Sequence, residues 1–136
     1  MPGIWGSADV SLVTYRKGLA DFSVPSKILA IMASERPVIV MADNHCEAAR
    51  MVRKAKCGLL VPPEDSCALA EAIAFLADRP ELCRCMGKSG REWVTSNLSR
   101  ECIVAKYERI FTNVIEQARF NRNKGILKNK RTTLLI

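Results

Sequence analysis

Aromatic residues are scarce, at 6%, and histidine occurs once, at His45. A lone imidazole offers no histidine cluster for a metal. No stretch approaches the ~20 consecutive apolar residues that a membrane-spanning helix needs. The opening residues, Met1-Pro2-Gly3-Ile4-Trp5-Gly6, do not join a basic region to an apolar core. No secretory signal is therefore expected, and the expected compartment is the cytoplasm. The seven glycines never fall in a Gly-x-Gly-x-x-Gly string, which argues against half of a dinucleotide-binding oxidoreductase. What is present is ordinary for a globular chain of 136 residues: 49% hydrophobic and 26% charged. That composition excludes wholesale disorder, and the length allows one domain at most.

Six cysteines, at 46, 57, 67, 83, 85 and 102, admit three accounts. A disulfide framework belongs to small secreted domains, and no export signal supports it. Zinc wants paired cysteines two to four residues apart, whereas Cys83-Arg84-Cys85 is too tight. The cysteines sit among Ala, Leu and Met, so they are expected as buried thiols acting as small apolar residues.

The net charge of +7 is uneven. Residues 1–97 hold 12 Lys/Arg and 11 Asp/Glu, whereas residues 98–136 hold 9 and 3. Arg119, Arg122, Lys124, Lys128, Lys130 and Arg131 form a cationic segment free of acids. The basic 119–136 tail is expected to be flexible, and three accounts stay open for it. It is a solvated terminus, a contact with an anionic membrane surface, or a nucleic-acid contact. Apart from Phe120 the tail has no interleaved aromatics and no reading motif, so no nucleic-acid partner is expected.

Short apolar runs alternate with helical periods. Asp9–Tyr15 reads as a strand, and Pro25 introduces a helix over Ser26–Ser34. Pro37–Met41 is apolar on both faces, as in a parallel sheet covered on both sides. Asp43, Asn44 and His45 are cap-type residues ahead of a helix over Glu47–Lys56, which Gly58 ends. Leu59–Val61 is a third strand, and Asp65 or Ser66 caps the next helix. Further helices open at Pro80, through about Trp93, and at Ser99. The last has apolar positions at Ile103, Tyr107, Ile110, Phe111, Val114, Ile115 and Ala118, and its periodicity fades after Arg119. The fold class is α/β: a partial Rossmann-like parallel sheet with flanking helices and a helical C-terminus. Three strands are few for such a sheet, so a larger α/β domain is expected around them.

Open α/β sheets bind ligands beyond the carboxyl ends of their strands. Three loops lie there: Arg16–Ser26, Ala42–Cys46 and Pro62–Asp65. The first ends in Ser23-Val24-Pro25-Ser26-Lys27 at a helix start. First-turn amides and the helix dipole favour an anion, Ser26 adds a hydroxyl and Lys27 a cation. A phosphate or diphosphate suits Ser23, Ser26 and Lys27; the competing account is a plain cap with a surface lysine. His45 is either a surface residue or a ligand contact. Glu47 is either a first-turn glutamate or an acceptor for sugar hydroxyls.

Several strings carry a family resemblance in order: Ser7-Ala8-Asp9-Val10, Pro25-Ser26-Lys27-Ile28-Leu29, Met32-Ala33, Arg36-Pro37-Val38-Ile39, Gly58-Leu59-Leu60-Val61-Pro62-Pro63, Met86-Gly87 and Gly90-Arg91. Together they resemble the C-terminal part of group 1 (family four) retaining glycosyltransferases. The nearest likeness is to the capsule, colanic-acid and O-antigen type with a Pro-Ser-Lys helix start. The resemblance covers about residues 5–115.

It implies residues 1–118 as a truncated donor-binding domain of a GT-B enzyme. The donor is a nucleotide-diphosphate sugar, a substrate rather than a cofactor, and no metal is needed. An acceptor domain would precede the chain, and the acceptor would be a glycan or lipid-linked. Ser23, Ser26 and Lys27 would face the donor diphosphate, with His45 and Glu47 as donor sugar or ribose contacts; no catalytic residue is assigned. The isolated chain is expected to turn over little. Phe22 and Ala30 stand where many relatives carry two glutamates, and Glu35 replaces the usual glycine before the Arg-Pro-Val strand. The alternative is a non-catalytic remnant or interaction module, peripheral to a membrane or bound to a partner through its basic tail.

Overall fold

The computed structural model describes residues 5–19 and 26–132. The chain divides into two compact units, Met1–Asn97 and Leu98–Ile136.

The first unit is built on three parallel strands in the order β1 (Ser11–Thr14), β2 (Val38–Met41) and β3 (Gly58–Val61). Each occupies one of the apolar runs. Val13 pairs with Val40, and Val40 with Leu60. All four β2 residues are buried, and they serve two cores. Val38 and Val40 join one cluster, Ile39 and Met41 the other. A strand alternates its side chains between faces, so an unbroken apolar run is what double coverage requires. The mixed α/β class read from the pattern is therefore the observed one.

Helices α1 (Ser26–Ala33) and α2 (Glu47–Ala55) line the first face, and α3 (Ser66–Ala77) lines the second. α1 buries Ile28, Ile31 and Met32 completely. These lie at i, i+3 and i+4, one stripe of an α-helix. Burying each is worth about 1.5–3 kcal/mol, and together they fix the orientation of α1.

The ends of α2 differ from expectation. Its N-cap is Cys46, whose Sγ accepts from the Ala49 amide at 3.4 Å. Asp43 does not cap it: it lies three residues ahead of the N-cap, and its Oδ2 accepts instead from the Gly18 amide. The left-handed residue that ends α2 is Lys56, at φ 50°, not Gly58. Gly58 instead opens β3, where an added Cβ would stand 1.7 Å from the Val38 carbonyl oxygen. The α3 cap is as expected: Asp65 Oδ1 accepts from the Ala68 amide at 2.8 Å.

α4 (Pro80–Leu98) packs through two glycines one turn apart. A Cβ on Gly87 would lie 2.2 Å from the Glu35 carbonyl oxygen, and one on Gly90 2.9 Å from Cys57 Cβ. Arg91 Nη1 donates to the Ala33 carbonyl at 2.8 Å, satisfying an end of α1. Glu35, at the position where the family resemblance leads one to expect glycine, adopts φ 58°. The left-handed turn is kept even though the residue suited to it is absent.

The second unit contains α5 (Arg100–Thr132), with Ser99 Oγ accepting from the Cys102 amide at 3.3 Å. Its backbone stays helical well past Arg119, where the apolar period fades. The segment has no proline and is rich in Arg and Lys, which are good helix formers. The six thiols also divide differently from expectation. Cys46 and Cys57 are buried, Cys67 and Cys85 exposed, and Cys83 and Cys102 in between. Cys67 lies two residues before core-packed Leu69, on the opposite side of α3.

Candidate functional site

The carboxyl ends of the three strands form one rim. Beyond the paired residues, the Tyr15 amide donates to the Met41 carbonyl at 2.9 Å and the Ala42 amide to the Val61 carbonyl at 3.1 Å. The loops leaving the rim therefore start from a fixed base. The first two are tied together: Gly18, at φ 73°, donates its amide to Asp43 Oδ2 at 2.8 Å. Only glycine enters that backbone region freely, so the tie depends on Gly18.

Two of the expected helix starts on this rim carry the candidate residues. α1 begins with Ser26 and Lys27, both exposed, directly ahead of fully buried Ile28. The buried stripe anchors the helix while its first turn faces solvent. First-turn amides lack intrahelical acceptors, and the dipole adds about half a positive charge there. Lys27 adds a whole one. The arrangement suits an anion with several oxygens.

His45 and Glu47 are exposed at the start of α2. The turn carrying His45 is held from behind, because Arg53 donates to both the carbonyl and the side chain of Asn44. Glu47 is ion-paired with Arg50 one turn on. Both partners are exposed, so the pair is worth little and can be exchanged for another hydroxyl or cation. Ser26 and Lys27 thus stand exposed at the start of α1, and His45 and Glu47 at the start of α2; Ser23 lies outside the described residues. The roles of Asp43, Arg50 and Arg53 were not read from the sequence. Glu47 and Arg50 at i, i+3 carry a usable signal, whereas the Gly18–Asp43 tie spans two loops and leaves none.

A cavity of about 700 Å³ lies elsewhere. Asp9, Arg36, Pro37 and Cys83 line it, at the amino ends of β1 and β2. There the Cys83 thiol is raised by burial and by the charge of Asp9. Parallel sheets present their ligands at the opposite edge, so this cavity is not the one the sheet topology points to.

Residues 1–79 match the family described as "Glycosyl transferases group 1". Among curated proteins, the chain is 34% identical over 67 residues to "Probable glycosyltransferase WbjE" of Pseudomonas aeruginosa, covering 49% of this chain and 17% of that protein. It is 30% identical over 113 residues to "Exopolysaccharide phosphotransferase SCO2592" of Streptomyces coelicolor, covering 83% of this chain and 12% of that one. Among solved structures, sucrose-phosphate synthase from Thermosynechococcus elongatus superposes with a TM-score of 0.68 at 28% identity, over 84% of this chain and 27% of that one. The chain spans less than a third of the length of each of these relatives. The three-stranded parallel sheet with its flanking helices is a fragment of the GT-B fold. The family match extends over more than half of the chain and takes in all three strands, both rim helices and the loops between them, and the chain belongs to the group 1 glycosyl transferases.

Proposed function

We propose that this chain is the donor-binding portion of a retaining glycosyltransferase. The whole enzyme transfers a sugar from a nucleotide-diphosphate sugar to a glycan or lipid-linked acceptor, and a preceding acceptor domain supplies the other wall of the cleft. Support comes chiefly from one observation: within the family-matched segment, Ser26 and Lys27 are exposed at the first turn of a helix that starts on the carboxyl rim. When the sugar–oxygen bond breaks, negative charge develops on the departing diphosphate. Amides and an ammonium already aimed at that point stabilise it without reorganising. Ser26 orients an oxygen, Lys27 neutralises charge, and His45 and Glu47 contact the hydroxyls of the donor. The nucleotide sugar is a substrate, and no cofactor or metal takes part. The enzyme works in the cytoplasm.

Calorimetric titration of the chain with uridine diphosphate and guanosine diphosphate tests this. Binding of one of them is expected at millimolar ligand or below, weakened by about 1–3 kcal/mol in Lys27→Ala, the loss of a charge-assisted contact. A folded chain that gives no heat with either nucleotide refutes the donor site. Unchanged affinity in Lys27→Ala removes Lys27 from it.

A further inference from the structure

The turn between β2 and α2 is pinned at every residue but one. The Asp43 carbonyl accepts from the Cys46 amide at 3.2 Å, and Asp43 Oδ2 accepts from the Gly18 amide at 2.8 Å. Arg53, nearly two turns into α2, donates to the carbonyl and the side chain of Asn44. Cys46 caps α2 through its Sγ. His45 has no hydrogen-bond or ion-pair partner among the described residues. The turn is thus fixed around a ring that is left for something else.

One of these bonds leaves the segment. The Gly18–Asp43 bond joins residues 25 apart, on the loops that follow the neighbouring strands β1 and β2. The Tyr15 amide makes the last backbone link between those strands, and past it the two loops are free to part. The carboxylate of Asp43 holds them together. Gly18 reaches it at φ 73°, although a Cβ there would meet nothing within 4 Å. Space does not call for glycine at that position; the backbone angle does. Neither loop gains much stability from one hydrogen bond at the surface, where water competes for both partners. What the bond sets is the position of one loop against the other.

We infer that Asp43 is a positioning residue of the donor site. Through the Gly18 amide it holds the loop leaving β1 against the turn that carries His45, so that the rim is already arranged when a nucleotide-diphosphate sugar arrives. This role rests on the donor-site reading given above. Asp43 acts through Gly18 and not on the donor's phosphates, because a carboxylate set beside a diphosphate repels it. Without the bond the loops sample several separations, and the binding-competent one is only a fraction of them. Apparent affinity falls by that fraction.

Calorimetric titration of the full chain with uridine diphosphate and guanosine diphosphate tests this in four variants beside the parent. Asp43→Ala should bind the preferred nucleotide about tenfold more weakly, the population lost with one charge-assisted hydrogen bond. Its urea midpoint should barely move, which a residue that merely supports the fold would not allow. Asp43→Asn keeps a carbonyl oxygen for the Gly18 amide and should bind as the parent does. Gly18→Ala keeps the carboxylate but disfavours the left-handed angle, and should also cost about tenfold. The double variant Gly18→Ala with Asp43→Ala should bind no more weakly than either single one, since both break the same bond. Equal affinity in the parent and Asp43→Ala overturns the inference while leaving the donor site standing. So does Asp43→Asn binding as weakly as Asp43→Ala, because the charge then meets the ligand directly. Additive losses in the double variant, or a loss of affinity that follows a fallen urea midpoint, overturn it as well. A folded parent that gives no heat is a different failure: it removes the donor site and this role with it.

Discussion

Replacing Gly87 by alanine sets two effects of known sign against each other. In an exposed helix interior, Gly→Ala is favourable by about 1 kcal/mol, because glycine surrenders more backbone entropy and alanine is the best helix former. At Gly87 the new Cβ would stand 2.2 Å from the Glu35 carbonyl oxygen, 2.7 Å from its carbonyl carbon and 3.2 Å from the Arg36 nitrogen. Ordinary contact begins at 3.4 Å, so α4 must withdraw by about 1 Å. All three neighbours are backbone, in the turn that feeds β2, and cannot swing aside. Overpacking of this kind costs about 1–3 kcal/mol or more. The clash should win, leaving Gly87→Ala about 1–2 kcal/mol less stable than the parent. Gly90→Ala should cost less, since its nearest neighbours are the side chains of Cys57 and Met32. Lys88→Ala, between them and exposed, should fall within about 0.5 kcal/mol of zero. Urea denaturation of the three variants, read as midpoint shifts at constant slope, decides the matter. A Gly87→Ala midpoint equal to or above the parent's would refute the close approach of α4 to Glu35.

Glu35 holds a left-handed turn at φ 58°. Its ion pair with Arg91 is long, at 3.9 Å, and exposed on both sides. Glu35→Gly should therefore stabilise the chain, by roughly 0.5–1 kcal/mol after glycine's own entropy cost, as a raised thermal midpoint. Burial pushes the Cys57 thiol up to about 11 from 9.0. The unfolded chain then releases this proton first as pH rises, so the stability from the buried neutral thiol is whole below pH 9.0 and is lost on the way to about 11. Of that alkaline loss about 1–1.5 kcal/mol develops between about pH 8 and about pH 10, and this difference in urea-derived stability should disappear in Cys57→Ala.

The sheet was legible because its signal is periodic. Val38–Met41 is an unbroken apolar run, and Ile28, Ile31 and Met32 mark one helical stripe, so the class and the positions of the strands followed from spacing. The helix ends were less legible because several residues compete for each cap. Asp43 reads as a capping residue until Gly18 is seen to take its carboxylate, a partner 25 residues away. Gly58 reads as a helix stop until the pairing of β3 with Val38 needs it, and Lys56 takes the strained position. Of the candidate site, the rim positions of Ser26, Lys27, His45 and Glu47 follow from topology. The Glu47–Arg50 pair and the hold of Arg53 on Asn44 depend on rotamers that no pattern encodes.

Gly58 has a genetic consequence. Every missense change at a glycine codon introduces a side-chain carbon, and here that carbon would occupy the space of the oxygen 1.7 Å away, which belongs to the strand alongside. No conservative neighbour exists for this position. Random mutagenesis under selection for folded protein should recover glycine at 58 almost without exception, while Gly6, with open space around it, drifts freely.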